Sequence, residues 1–405
     1  FAAKNSMKIF NPFDNSQIAQ VACADDELAL KAIESAKAAF EQNFAIHGEL
    51  GAACCLYVHG ECVVDLWGGW ADKAKTRLWE ENTLSGFYSV GKALVSLCAL
   101  HVCDEFHIDL DAPVADVWPE YGQHGKGHTS VRHFLTHQAG MPGIRERLPN
   151  DALYDWDRLT AALANQAPYW PPGSAHGYHT NTFGFLLGEF VRRVSGLSLG
   201  QYFQKHIARP LNADVHFGLS DSDLTRAAEL DWPEEPNMLA AFDFDRNMSE
   251  HERMALHAYA NPHGVSSLGV LNSAPWRQIE VPSTNGFGTA KGLARIFRAL
   301  SAGGAHEGTR IIRTDTLAEA TSVQCEGVDK MLGKDIRWGL GFQLTRPNRL
   351  MGPNPNSFGH FGNGGSVGFA DPDAKVAFAY TLNRIVRDWG SPQNRALIAA
   401  IYEGF

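Results

Sequence analysis

The sequence has no apolar run approaching the roughly 20 residues that span a bilayer. Its longest stretches, such as Ala93–Leu100, are core-sized. A membrane is therefore not an expected partner. Positive charge is in deficit, with 35 Lys and Arg against 45 Asp and Glu and a net charge of −10. A surface of that sign repels phosphate, so nucleic acid is not expected either. The 7 cysteines include no Cys-x-x-Cys pair, which argues against a thiolate zinc site. They read as buried free thiols, since free Cys packs as a small hydrophobe. The chain begins at Phe1 without a basic-then-apolar leader. Together these point to a reducing compartment, the bacterial-type cytoplasm. There is no internal repeat and no low-complexity tract.

What is present is a globular composition, 44% apolar and 20% charged, which excludes extended disorder. At 405 residues the chain should form two or three compact units. Residues 1–45 read as an N-terminal extension. Asp25–Asp26 would cap a helix with the stripe Ala29, Ile33, Ala36 and Phe40. Residues 50–58 and 61–68 read as strands joined at His59-Gly60, and Cys54 and Cys55 should face opposite sides of the sheet. Trp338–Leu344, Ser366–Asp371 and Lys375–Leu382 read as further strands, followed by a helix over 391–403. Between them the pattern is helical at 130–137, 157–166, 180–195, 198–207 and 288–302, while 222–284 reads as loops. The expected fold is α/β of the α+β kind: one antiparallel sheet built from both chain ends, flanked by helices, with an inserted helical region. The expected division is an α/β domain over 46–125 and 285–405 and a mostly helical domain over 126–284.

Gly86-Phe-Tyr-Ser-Val-Gly-Lys-Ala93 approaches a phosphate-binding loop, but Ala93 stands where a magnesium-holding hydroxyl is needed. The same residues contain Ser-x-x-Lys. Ser89 opens an apolar helix, and residues i and i+3 share a face, so Lys92 would lie beside the Ser89 hydroxyl. A helix N-terminus favours a developing alkoxide. A serine needs a neighbour that takes its proton, and a lysine of lowered pKa can do so. Gly196-Leu-Ser-Leu-Gly200 imitates a nucleophile elbow, but it lies between two helical patterns, so Ser198 reads as an N-cap. His133 and His137 lack the Glu of a zinc helix and read as structural, and no metal is expected. Tyr178 lies at a loop–helix junction, where a nearby lysine could lower its pKa for general-base work. Gly359-His360-Phe361-Gly362-Asn363-Gly-Gly365 reads as a glycine-rich turn before a strand, able to aim backbone amides at an oxyanion.

Ser89-x-x-Lys92, the Tyr178 loop and His360-x-Gly362, in that order, resemble the serine β-lactamase-like superfamily. Leu66-Trp-Gly-Gly-Trp-Ala-Asp72, Ile108-Asp-Leu-Asp-Ala-Pro-Val114, Trp118-Pro-Glu-Tyr121, Val131–Pro142, Asn285-Gly-Phe-Gly-Thr-Ala290 and Trp338-Gly-Leu-Gly-Phe342 are similar to the class C β-lactamase-like esterases, the family VIII carboxylesterases. This resemblance spans about residues 46–405. It implies Ser89 as the acylated nucleophile, with Lys92 and Tyr178 sharing the proton traffic. It also implies an oxyanion hole from the amides of Ser89 and Asn363, and no cofactor. His179, Asn181, His360, Phe361 and Gly362 are the implied substrate-binding residues. Asn11 through Phe40 resembles the extreme N-terminus of aldehyde dehydrogenases, but no later segment supplies that family's catalytic cysteine region.

Two departures shift the expected substrate from lactams towards neutral short-chain esters. Asn181 follows Tyr178 by three residues rather than two, and Phe361 stands where lactam-acting relatives carry a threonine that helps hold a carboxylate. The expected partner is a small-molecule ester. β-Lactam or amide hydrolysis on the same site is the alternative, and a catalytically silent binding protein on this fold is the second.

Overall fold

The computed structural model describes residues 6–10, 17–22, 27–240, 242–348, 350–386 and 388–403. Among them, ten strands form one antiparallel sheet. Its spatial order is Ser6–Phe10, Gln17–Ala22, Glu61–Gly69, Gly51–Val58, Val376–Leu382, Val367–Asp371, Phe358–Phe361, Gln343–Leu344, Asp335–Trp338 and Cys325–Val328. Both chain ends supply it, so the expected fold class is found. The join between the halves is the pairing of Gly51–Val58 with Val376–Leu382, in the register Cys55 opposite Ala379.

Side chains alternate across this sheet, as the two-residue period requires. Cys54, Leu56, Phe369 and Phe378 face the helices Glu27–His47 and Pro392–Tyr402, where Ile33, Ala36, Phe40, Leu397 and Ile401 cover them. Cys55, Tyr57, Ala377 and Ala379 face the other way, towards the helices Ala290–Ser301 and Val90–Phe106. The two adjacent cysteines do belong to opposite faces, and the six described cysteines are all free thiols. The expected cap at Asp25–Asp26 lies outside the described residues, as does the side chain of Ala29.

Helix Val90–Phe106 is apolar around nearly its whole circumference and is buried from Val90 to Leu100. A helix of that kind belongs at the centre of a domain. It packs on both the helix Thr182–Ser195 and the strand Phe358–Phe361. Its N-terminus is thereby brought beside the segment that precedes the one and the turn that follows the other.

Three expectations need correction. The 222–284 stretch is not all loop: Glu250–Ala260 is a helix, started by a reciprocal Ser249–Glu252 capping box that the Ser-x-x-Glu spacing could have revealed. Trp338–Leu344 is not one strand, because Gly339–Phe342 turns the chain between Asp335–Trp338 and Gln343–Leu344. Phe358–Phe361 is itself a strand, so His360 and Phe361 lie in the sheet rather than in a loose turn. No described helix is long and apolar enough to cross a membrane.

Phe369 is fully buried beside Phe378, with ring centroids 5.8 Å apart. Phe369→Ala should lower unfolding stability by about 3–5 kcal/mol. Val328→Ala, on an exposed edge position, should change it by less than about 0.5 kcal/mol. Chemical denaturation of the two variants checks this. Equal stability would mean that the terminal helices do not seal this face.

Candidate active site

Ser89 occupies the N-cap of Val90–Phe106. The preceding residue, Tyr88, is held at φ +47, in the left-handed region that non-glycine residues seldom occupy. Its ring meets Trp232 edge-on, and its hydroxyl lies 3.3 Å from Ser267 Oγ. One turn into the helix, Lys92 Nζ lies 3.0 Å from Ser89 Oγ and donates to the Ser283 carbonyl at 3.3 Å. The lysine is wholly buried, and burial holds its ammonium well below its ordinary range. No carboxylate opposes that shift among the described residues.

A second fully buried lysine shows what this arrangement is not. Lys126 Nζ donates to the Ala164 and Gln166 carbonyls and lies over the Tyr121 ring, which is a structural tie. Lys92 also meets one backbone carbonyl, but it reaches the Ser89 hydroxyl as well.

Tyr178 closes the group, with Lys92 Nζ 4.7 Å from its ring centroid. The ring stacks on Trp338 at 5.7 Å and 5°, and meets Trp389 edge-on at 5.3 Å. Its backbone amide donates to the buried Asp329 Oδ1 at 3.0 Å. The expectation that a lysine lowers this phenol is corrected. Burial pushes Tyr178 well above its ordinary range, with the Ser89 hydroxyl acting in the opposite sense. At neutral pH Tyr178 is therefore held as the neutral phenol.

The turn that carries Asn363 is fastened behind Ser89. Ser366 Oγ donates to the Phe87 carbonyl at 2.9 Å. A Cβ on Gly362 would meet that same carbonyl at 2.4 Å and Ser366 Oγ at 2.1 Å. Only glycine permits this approach. Neither the Ser89 nor the Asn363 amide is used in a backbone hydrogen bond among the described residues.

These groups open into a cavity of about 670 Å³ whose lining includes Ser89, Tyr178, Asn181, Phe361 and Asn363. Asn181 is fixed there by Nδ2–H bonds to the Ala258 carbonyl and Ser266 Oγ, both at 2.7 Å, while its Oδ1 accepts from Thr284 Oγ1.

His179 and His360, expected to bind substrate, do not line the cavity. His179 Nδ1 donates to the Gly177 carbonyl at 2.6 Å and Nε2 accepts from the Met141 amide at 2.9 Å, so both nitrogens serve the backbone. Burial pushes its pKa down to about 4. Neighbours in an extended segment point oppositely, so Tyr178 and Thr180 face the cavity and His179 faces away. His360 lies in the sheet with Nδ1 2.6 Å from the Phe361 carbonyl. Burial first, then the charge of Lys92, pushes it down to about 3. It is a neutral wall behind Tyr178, with ring centroids 6.2 Å apart.

Sequence reasoning missed four contributors. Ser283 supplies the carbonyl that holds Lys92, Asp329 holds the Tyr178 backbone, and Trp338 stacks on its ring. The fourth, His137, was placed on a helix with His133. That helix ends at Leu135, and His137, at φ +59, packs between Tyr178 and Phe183 and accepts the His179 amide at Nδ1. His133 is structural as expected, its Nδ1 accepting the Ser130 amide in a capping box. Ser198 is the expected N-cap. Its hydroxyl accepts the Gln201 amide and donates to Glu280 at 2.6 Å, beside a separate cavity of about 520 Å³ that shares no lining residue with the first.

A serine paired with a buried lysine and a buried tyrosine, with the Ser89 and Asn363 amides left out of backbone hydrogen bonds among the described residues, is the arrangement of a serine hydrolase site of the Ser-x-x-Lys kind. The sequence matches the Beta-lactamase family over residues 36–403, and the chain belongs to that family. It is 32% identical over 346 residues to the esterase/β-lactamase LipL of Mycobacterium tuberculosis, covering 83% of this chain and 77% of LipL. It is 25% identical over 391 residues to the esterase EstB of Burkholderia gladioli, covering 90% and 94%. Among solved structures, a family VIII carboxylesterase superposes with a TM-score of 0.85 at 39% identity, covering 95% of this chain and 98% of that one. A penicillin-binding protein homologue from Caulobacter crescentus gives 0.84 at 37%, with the same coverage.

Gly362→Ala should leave the protein folded but push the Asn363 turn away from Phe87. Losing one oxyanion donor costs about 10²–10³ in kcat. Steady-state turnover with p-nitrophenyl butyrate checks this, and unchanged kcat would show that the turn does not set the site.

Proposed function

We propose that the protein is a serine carboxylesterase that hydrolyses short-chain acyl esters through an acyl-enzyme. The observation that carries this reading is Ser89 Oγ held 3.0 Å from a wholly buried lysine that no carboxylate opposes. In this reading Lys92, as the free amine, takes the Ser89 proton while Oγ bonds to the acyl carbon. The charge that develops on the carbonyl oxygen is met by the Ser89 and Asn363 amides. The acyl C–O bond then breaks, and the alcohol leaves with the proton passed on from Lys92 by way of Tyr178. Water attacks the acyl-enzyme, the same groups take its proton, and the acid departs as Ser89 regains its hydrogen. Its cleft is shared between an α/β unit (46–125 and 285–405) and a mostly helical unit (126–284). None of the described residues of 1–45 lines it.

A second reading, β-lactam hydrolysis, is favoured by the likeness to LipL and to the Caulobacter penicillin-binding protein homologue. Phe361 in the cavity wall speaks against a tight lactam site. A carboxylate left without its hydrogen bond forfeits about 1.5–3 kcal/mol.

Ser89→Ala should cut ester turnover by about 10³-fold or more, and the acyl adduct seen on Ser89 by mass spectrometry should vanish. Ser198→Ala should retain turnover and lose about 1 kcal/mol of stability, as a cap does. An inactive Ser198→Ala beside an active Ser89→Ala would reverse the assignment. Lys92→Ala and Tyr178→Phe should each lower kcat severely, with the double variant little worse than either. Losses that add would separate their roles. If kcat/KM for a penicillin equalled that for p-nitrophenyl butyrate, the second reading would replace the first.

A further inference from the structure

The walls of the Ser89 cavity differ in chemistry. One end is apolar, with Trp232, Met238, Phe242 and Leu268. The other carries charge. Among the described residues, five charged ones line the cavity: Lys334, Arg337, Arg346 and Arg395 are cations, and Asp388 is acidic. This runs against a chain whose net charge is −10.

Three of the cations come from one hairpin, made by Asp335–Trp338 and Gln343–Leu344 with the residues just outside it. Arg346 is held across the hairpin, its Nη1 donating to the Asp335 carbonyl. Arg337 Nη2 reaches Glu326 Oε1 at 2.9 Å, but its Nε–H has no partner. Among the described residues, Lys334 and Arg346 form no ion pair. Cations gathered at a concave surface concentrate anions there, and Lys334 and Arg346 do so without a paired carboxylate among the described residues.

We infer that the cleft selects esters that carry a carboxylate remote from the scissile carbonyl, received by Lys334, Arg337 and Arg346 on the hairpin wall. This rests on the esterase reading above, and it replaces the neutral ester expected from the sequence. Phe361 removes a hydroxyl from the strand that leads to Asn363. The anchor is therefore displaced to the hairpin, and the substrate must be long enough to reach it. Arginine forks and a lysine point charge suit a carboxylate, and the apolar end takes the remainder of the molecule. The carboxylate can belong to the acyl half or to the alcohol half.

Two matched pairs of esters test this with the intact chain. Mono-p-nitrophenyl glutarate against p-nitrophenyl valerate places the charge on the acyl half. 3-Carboxyphenyl butyrate against 3-methylphenyl butyrate places it on the alcohol half. In at least one pair, kcat/KM should favour the carboxylate ester by about tenfold at low salt, with the preference shrinking at high salt. The pair that responds identifies the half. In Lys334→Glu/Arg346→Glu that ratio should fall below one. Because the ratio is taken within one preparation, partial unfolding cancels from it. Wild-type ratios of one or less in both pairs, or a ratio that the double substitution leaves unchanged, would overturn the inference while leaving the esterase reading intact. Absence of hydrolysis in all four esters would overturn both.

Discussion

The arrangement depends on one unfavourable burial. Lys92 is completely enclosed, and no carboxylate among its neighbours repays the loss of hydration. Keeping a charged ammonium in such a place costs several kcal/mol. Burial therefore holds the group well below its ordinary range. What the fold sets beside Ser89 is a lysine that gives up its proton more readily than an exposed one, which the proposed base requires. The surroundings are consistent with this. His137 and His360 are both held neutral, by burial first. Tyr178 is held in its phenol form.

The scaffold explains how so costly a group is held in place. The helix that carries Ser89 and Lys92 is buried from its first turn and is gripped by the helix after Tyr178 and the strand before Asn363. The three contributors come from distant parts of the chain but from elements that touch one helix. Close approach is secured locally. Tyr88 is held in a strained backbone conformation, and Gly362 lets the turn press on the Phe87 carbonyl. Strain of this kind persists only where the surroundings over-determine it.

Much of this was legible in the sequence, for identifiable reasons. The Ser89–Lys92 pairing follows from helical spacing alone, and the sheet strands 51–58, 61–69 and 376–382 from alternation and tight turns. Ser198 was separable from a true nucleophile because its flanks are helical. What was not legible depended on long-range packing. Whether His179 and His360 face the cleft is set by which side of their segments meets the core, and nothing local to either residue states it. The Tyr178 phenol was read as lowered because a lysine was expected nearby. The structure reverses the sign, since burial raises the phenol. The cationic hairpin wall was hidden because the cations that make it become one surface only when Asp335–Trp338 folds back on Gln343–Leu344.

The central claim is that burial holds Lys92 well below the range of an exposed lysine. The direct measurement is a pH titration of the Lys92 side chain by NMR in protein with isotopically labelled lysine, its signal assigned by comparison with Lys92→Arg. A lysine whose folded pKa is depressed releases its proton at a pH well below that of exposed lysines, near 10.4. The account predicts a Lys92 signal that reaches its neutral position at a pH well below that at which the exposed lysines titrate. A Lys92 signal that titrates together with the exposed lysines would contradict the account at its base.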